Sequence, residues 1–496
     1  MRVLEIILFV ANTLSLFSLI IPLPGNFYWV QYSIPITLTI FIVQILREGS
    51  RWQLMPLYTL TVCLFAVWLF HTVLPDAIHV NGFIKGIAIM LGFLSILLSL
   101  VLAIALPVFQ FPRPGGSYGI GTITYHWVDM SRQEIFTREQ NDHREIMAQV
   151  WYPTKIDSSG TNAPYIQDAE LLSSTLANLL HLPKFIFSHF KYVRSNAILS
   201  APIAEDESSY PVLIFSSGLD GFRASNTFQV EELVSQGYIV VGIDQPGASA
   251  IVRFPDGRQI SGWQRDDIQP LIRQSIDPQP EAPELYGKVL ADGIIPYFSQ
   301  DLSFTLGQLI MFNENDPQHI LTGRLDLNHV GTFGVSLGGI NVAEACLDDL
   351  RLKACLIMDA PIPANVVDAG LQQPSMIITR DADTMRLEHE RAGGWTEYDI
   401  QQHQTTMRSL YEGLVSDGYY LQISEIFHVN FTDFPYWLPI ASQIGLTGSI
   451  NAQRGFDIIN AYTVAFFDKH LKNQSSPLLN GASKLYPEVN FEIRHP

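Results

Sequence analysis

The residues best suited to chemistry lie in residues 329–341, HVGTFGVSLGGIN. Val330 to Phe333 is a short apolar run that suits a buried strand, and a helical stretch begins by Asn341. Between them, Gly334-Val335-Ser336-Leu337-Gly338 sets a serine in a G-x-S-x-G turn. A strand–turn–helix of this kind is a nucleophile elbow, which holds a serine hydroxyl clear of the backbone for attack on a carbonyl. The glycines have a steric role, because a β-carbon at Gly334 or Gly338 would collide with the tightly turned chain. The pattern also arises by chance, so the flanking strand and helix carry its meaning.

A serine hydroxyl is a poor nucleophile at neutral pH and needs a histidine to take its proton and a carboxylate to orient that histidine. With an elbow serine the chain order is serine, acid, histidine. Of thirteen histidines, only His389, His403, His428, His470 and His495 follow Ser336. His428 stands just past the apparent strand 419–423, where the carboxyl ends of strands build α/β sites. His389 and His403 sit in polar, helical or solvated surroundings, and His470 and His495 lie near the end, so His428 is the expected base. For the acid, Asp359 ends the strand 354–358, while Asp381 and Asp383 follow the strand 376–379. Either strand end can deliver a carboxylate to His428, and the residues alone do not choose. An oxyanion hole needs two backbone N–H donors. Leu337 supplies one, and the loop 216–223 (SSGLDGFR) is expected to supply the other from Leu219, with Gly218 and Gly221 letting the backbone turn inward. This chemistry calls for no metal and no cofactor.

These residues need a scaffold of alternating strands and helices. Strands are expected at 122–128, 147–151, 212–215, 238–243, 330–333, 354–358, 376–379 and 419–423, several of them continuous apolar runs of the kind buried on both faces of a parallel sheet. Helical stretches at 300–312, 340–350, 401–415 and 455–471 alternate with them, which predicts a mostly parallel, doubly wound α/β domain. Residues 165–200 are apolar and aromatic, and suit a cap over a pocket, a surface resting on a membrane, or ordinary packing on the sheet. Residues 255–295 are proline-containing and loop-like, an insertion near the site.

The first 110 residues differ sharply. They hold only seven charges, Arg2, Glu5, Arg47, Glu48, Arg51, Asp76 and Lys85, so with −18 on the whole chain the remainder carries −19. Four apolar stretches, 3–21, 30–46, 54–74 and 83–108, approach the roughly 20 residues that cross a bilayer as a helix. One cleaved signal peptide would not explain the other three. Arg47 and Arg51 lie between the second and third stretches, whereas residues 22–28 carry no basic residue and the third loop has Asp76 with Lys85 at its edge. The excess of basic residues places the middle loop, both termini and the polar domain on the cytoplasmic side of a multi-pass cell membrane. The division expected is a membrane domain of about four transmembrane helices (1–110), a Pro/Gly linker (111–118) and a catalytic domain (119–496). Three cysteines show no disulfide framework, although a single Cys346–Cys355 bridge stays open. The acidic balance excludes a nucleic-acid partner.

With these motifs in place, residues 112–490 resemble the plasma-type (isoform II) platelet-activating factor acetylhydrolases and their bacterial relatives, calcium-independent serine esterases of the α/β-hydrolase superfamily. The resemblance runs through residues 119–151, PVLIFSSGLDGFR (211–223), GYIVVGIDQPGASA (237–250), the elbow, Met358-Asp359-Ala360, HVNFTDF (428–434) and FFDKHL (466–471). It implies an acid at Asp359, 23 positions after Ser336, rather than Asp381 or Asp383. It implies a base at His428, oxyanion donors at Leu219 and Leu337, and a lipid ester as substrate. The chain departs from the family pattern at Ser217, Gln245 and Val335, where relatives usually or often carry histidine. Those departures bear on substrate choice rather than on hydrolysis.

Overall fold

The computed structural model describes residues 1–20, 29–74, 81–139 and 141–495. Ile21, the loop 22–28 and Asp76, which entered the orientation argument, lie outside the described residues. The first 105 residues form helices α1 (Val3–Ile20), α2 (Trp29–Glu48), α3 (Met55–Val73) and α4 (Gly82–Ala105), with a 3₁₀ turn at Trp52–Leu54. α1 packs on α2 and α4, and α3 packs on α2 and α4, closing a four-helix bundle. Polar side chains turn inward: Asn12 Nδ2 donates to Thr61 Oγ1 (2.9 Å), Ser15 and Thr37 hydroxyls lie 3.0 Å apart, and Tyr58 donates to Gln44 Oε1 (3.0 Å). Leu, Ile, Val and Phe side chains cover the outside. α1, the stretch Trp52–Val73 and α4 are long and apolar enough to cross a membrane. α2 is as long but less apolar and contains Pro35, so of the four expected stretches three form helices long and apolar enough to cross a membrane.

Beyond the bundle an eleven-stranded sheet dominates. Its strands are β1 (Gly119–Gln133), β2 (His143–Thr154), β3 (Asn162–Pro164), β4 (Arg194–Leu199), β5 (Tyr210–Ser216), β6 (Ile239–Asp244), β7 (Leu325–Val335), β8 (Leu352–Met358), β9 (Ser375–Thr379), β10 (Gly418–Ile423) and β11 (Val489–Arg494). Their order is β11-β10-β9-β8-β7-β5-β6-β2-β1-β4-β3. The six strands from β6 to β10 run parallel, flanked by antiparallel β2 and β11. Strand period 2 divides the core: Leu213 and Phe215 face one layer, Val212 and Ile214 the other. The first layer holds α5 (Ala169–Leu179), α6 (Thr227–Ser235) and the long C-terminal helix Ala452–Lys472; the second holds α7 (Arg265–Ile276), α8 (Ile295–Asn315) and α9 (Leu337–Asp348). Further on come α10 (Ala364–Ala369), α11 (Ala382–Ala392) and α12 (Glu397–Gly413); the C-terminal helix is α13. Cys346 on α9 and Cys355 on β8 form a disulfide.

Three expectations change in detail. Residues 165–200 form α5 and a 3₁₀ turn whose Tyr165, Leu172, Phe187 and Phe190 pack into the first layer, and none of the segment's described residues lines the Ser336 cleft, so the segment packs rather than caps. The loop-like insertion 255–295 contains α7, helical despite Pro270. The Pro/Gly linker is stitched down, with Gly115 N donating to Glu232 Oε2 (2.9 Å) and Phe111 packed against Tyr165 and Tyr436.

Candidate active site

β5 is followed by β6 on one side of the sheet and β7 continues on the other, so the loops after β5 and β7 meet at a topological switch point, where open α/β sheets form their crevice. Ser336 stands there with φ 57° and ψ −127°, between β7 and α9. That left-handed conformation is costly for a residue with a side chain and is found where function holds it. The glycines behave as the sequence required. A β-carbon at Gly338 would lie 1.9 Å from Ser216 O, and one at Gly334 would lie 2.4 Å from the Gly338 backbone. Gly218 is held less tightly but still closely, since its β-carbon would come within 3.1 Å of Ser336 Cβ. This close approach brings the loop after β5 over the serine. Leu219 and Leu337 line the same cleft as Ser336, and Leu337 opens α9, where the first amides have no intrahelical acceptor.

Register places the acid beside the serine. Ser336 N donates to Met358 O (3.0 Å), and Asp359 N donates to Ile378 O (2.8 Å), so Asp359 sits at the end of β8 next to the elbow. His428, in a 3₁₀ turn after β10, has its Nδ1 2.6 Å from Asp359 Oδ2. The structure thus pairs His428 with Asp359, and the register sets Asp359 on the strand next to Ser336. Asp381 caps α11 through Thr384 N (2.7 Å), and Asp383 pairs with Arg386 (2.7 Å), so neither reaches His428.

Asp359 is fully buried. Burial by itself would raise its carboxyl, but the Arg380 guanidinium (Nε to Oδ2, 2.9 Å) and the two neighbouring imidazoles, His403 and His428, hold it well below the usual carboxylate range. Thr379 Oγ1 donates to the other oxygen, Oδ1 (3.0 Å). Arg380 also pairs with Glu388, which accepts from the His428 amide (3.3 Å). His403 corrects the sequence reading. It is on a helix, α12, as expected, but it is buried rather than solvated, with Nε2 3.5 Å from Asp359 Oδ1. α12 is amphipathic, and His403 is on its inward stripe with Ile400 and Met407. His470 and His495 gather around Asp417, far along the sheet from the elbow.

Behind the oxyanion loop, Gln245 Oε1 accepts from Ser216 Oγ (3.3 Å) and Asn341 Nδ2 (3.2 Å), while its Nε2 donates to Asp301 Oδ2 (2.9 Å). Asp301 is bound in turn by buried Arg144 (2.6 Å). The base loop is fixed to the oxyanion side by Asp433, whose carboxylate accepts the Thr227 and Phe228 amides at the start of α6 (2.8 and 3.1 Å). Sequence reasoning missed Arg380, Trp395 and Asp433 as supports of the site; HVNFTDF carried a signal for Asp433, and nothing local marked the others. The cleft is walled by Leu219, Ile272, Ile340, Pro361 and Trp395 around Ser336, with Arg273, Asp399 and Gln402 as its polar members.

Comparison with known proteins agrees with this geometry. The family model "Platelet-activating factor acetylhydrolase, isoform II" matches residues 103–261 and 308–483, more than half of the chain. A platelet-activating factor acetylhydrolase of Cavia porcellus is 24% identical over 406 residues, covering 77% of this chain and 84% of the relative. A probable 1-alkyl-2-acetylglycerophosphocholine esterase of Arthroderma benhamiae is 24% identical over 308 residues, covering 58% of this chain and 67% of the relative. Among solved structures, a ferulic acid esterase from Streptomyces cinnamoneus superposes with a TM-score of 0.59 at 25% identity, over 77% of this chain and 98% of that one. The chain therefore has the α/β-hydrolase fold and belongs to the isoform II platelet-activating factor acetylhydrolase family, as a carboxylic ester hydrolase.

Proposed function

We propose that this protein is a membrane-anchored serine esterase that hydrolyses short or oxidised sn-2 acyl esters of glycerophospholipids. Ser336 Oγ attacks the ester carbonyl while His428 Nε2 accepts its proton. Asp359 orients the imidazole and stabilises its charged form. The Leu219 and Leu337 amides stabilise the tetrahedral oxyanion. His428 then protonates the leaving alcohol, and water releases the acyl group from Ser336 by the same steps in reverse. The reading calls for no metal or cofactor, since triad and hole supply the chemistry. The observation that carries it is Asp359 Oδ2 at 2.6 Å from His428 Nδ1, beside a serine in a strained elbow. The family and the esterase named among its relatives support a phospholipid ester as substrate.

The same reading takes residues 1–110 as a membrane domain of four spans and 111–118 as its connection to the hydrolase. α2 joins the spans because its polar Thr37 and Gln44 are buried in the bundle while Ile36, Ile42 and Leu46 face outward. Arg47 and Arg51 support a hydrolase on the cytoplasmic side. One observation favours the opposite side: the Cys346–Cys355 disulfide, a bond rare in the cytosol. Alkylation of the two cysteines in intact cells, with and without reductant, decides between these orientations.

The substrate is tested with full-length protein in detergent, wild type beside Ser336→Ala, given a short-chain nitrophenyl ester and phospholipids with acetyl or long sn-2 chains. Serine-dependent release from short sn-2 phospholipids is the expected result. Serine-dependent activity on the soluble ester alone would retain the mechanism and reject the substrate.

A further inference from the structure

Each of the triad's three residues is accounted for, yet a second histidine stands at the same carboxylate. His403 reaches Asp359 from α12, an element that carries none of the triad. Its side chain is inaccessible to solvent, and neither ring nitrogen has a hydrogen-bond partner other than the approach of Nε2 to Asp359 Oδ1, 3.5 Å away. A buried imidazole with both nitrogens unmet is costly, so its placement needs a reason. The division of donors around Asp359 supplies one. Oδ2 takes His428 Nδ1 and Arg380 Nε; Oδ1 takes Thr379 Oγ1 and faces His403. Trp395 clamps both histidines, with its ring 4.9 Å from His403 and 5.4 Å from His428. The charged and titratable groups facing His403 are Asp359, Arg380 and His428, with Glu388 beyond Arg380.

We propose that His403 is a positioning residue for the reaction: a neutral imidazole that presents its Nε2–H to Asp359 Oδ1 and so holds the carboxylate with Oδ2 turned to His428. This rests on the triad reading above. Burial disfavours the imidazolium, as do Arg380 and His428, which keeps His403 a neutral donor and lowers its proton affinity despite Asp359. Two consequences follow from elementary electrostatics. Without His403 the carboxylate can rotate, and the serine loses an aligned base. A carboxylate with one donor fewer also binds the protonated His428 more strongly, so the base stays charged to higher pH.

The test compares His403→Phe, which keeps a buried ring without a donor, with His403→Gln, whose amide can place a donor near the Nε2 position. Full-length protein in detergent is assayed on a short-chain nitrophenyl ester from pH 5 to 9, with Ser336→Ala alongside. Expected for His403→Phe is a fall in kcat of about 10- to 100-fold, the loss of one hydrogen bond to a charged group, with KM within about twofold and the acidic limb of the kcat/KM profile moved to higher pH. His403→Gln restores most of kcat and the wild-type limb. Should the phenylalanine variant not accumulate, His403→Asn, too short to reach Oδ1, takes its place with the same expectation. An acidic limb unchanged in the Phe or Asn variant, or equal losses in the Gln variant that track thermal stability, overturns the proposal. Activity surviving in Ser336→Ala would instead overturn the triad reading on which it rests.

Discussion

The helical bundle and the hydrolase dispose their apolar and charged residues differently. In the hydrolase, β-strand residues such as Ile214 and Leu356 fill the interior, and the buried acidic groups are ion-paired or hydrogen-bonded, as Asp301 is to Arg144 and Glu231 to Asn196. In the bundle, Glu5 and Arg51 are fully buried in a two-point contact (2.8 Å at each oxygen), while Leu46 and Phe83 are 77% and 75% exposed. The proposed membrane setting accounts for the difference: hydrocarbon, unlike water, gives no reward for hiding apolar surface, and helices in it associate through packing and polar contacts. The two regions meet at a polar seam: Gln53 Nε2 lies 2.9 Å from His189 Nδ1, Trp52 Nε1 donates to Ile186 O (3.1 Å), and Tyr192 donates to Ser50 O (2.8 Å). Residues 185–192 are therefore a docking surface for the end of the bundle.

The comparison separates variants that stop chemistry from variants that loosen architecture. Asp359→Asn should lower kcat about 10³- to 10⁴-fold by presenting His428 with the wrong partner, with the bundle untouched; a loss under tenfold on the nitrophenyl ester would contradict the assignment. Arg51→Ala is the converse. It removes one of the two guanidinium groups on Glu5, leaving Arg2 (2.7 Å), and should cost about 1.5–3 kcal/mol of bundle stability, measured by thermal unfolding in detergent, while kcat on the soluble ester stays within about twofold. A parallel collapse of activity would show that the two regions are coupled more tightly than one seam implies.

Much of this was legible in the sequence, and the failures are instructive. The eight expected strands all appear, because buried parallel strands leave continuous apolar runs. The elbow turn was legible because glycine is demanded where backbone meets backbone. The choice between Asp359 and Asp381 was open locally because only register sets Asp359 beside Ser336 and turns Asp381 to a helix cap. His403 was misjudged because a polar helix shows its buried face only once a neighbour covers it. α7 was hidden by Pro270, and β11 by its distance along the chain from its partner β10.

Two smaller effects sharpen the picture within the hydrolase. Asp433→Ala removes the acceptor for two amides at the start of α6 and should cost about 1–2 kcal/mol, read as a lower midpoint in urea. Glu231 gives a pH effect. Burial raises its carboxyl to about 7 against the opposing Asn196 hydrogen bonds. The folded state thus holds a proton that the unfolded chain releases near pH 4.5, so this group's contribution to stability is present below about 4.5 and declines as pH rises toward 7. Relative to wild type, Glu231→Gln should be least favourable at pH 4 and gain as pH rises to 7.5; a difference independent of pH would contradict it.

The account stands or falls on Ser336 as the nucleophile. Full-length protein treated with a fluorophosphonate probe and digested for mass spectrometry gives the direct answer. One adduct, on Ser336, absent in Ser336→Ala and strongly slowed in His428→Gln, is the predicted result. Modification of another residue, or no adduct in a preparation that hydrolyses esters, would contradict it.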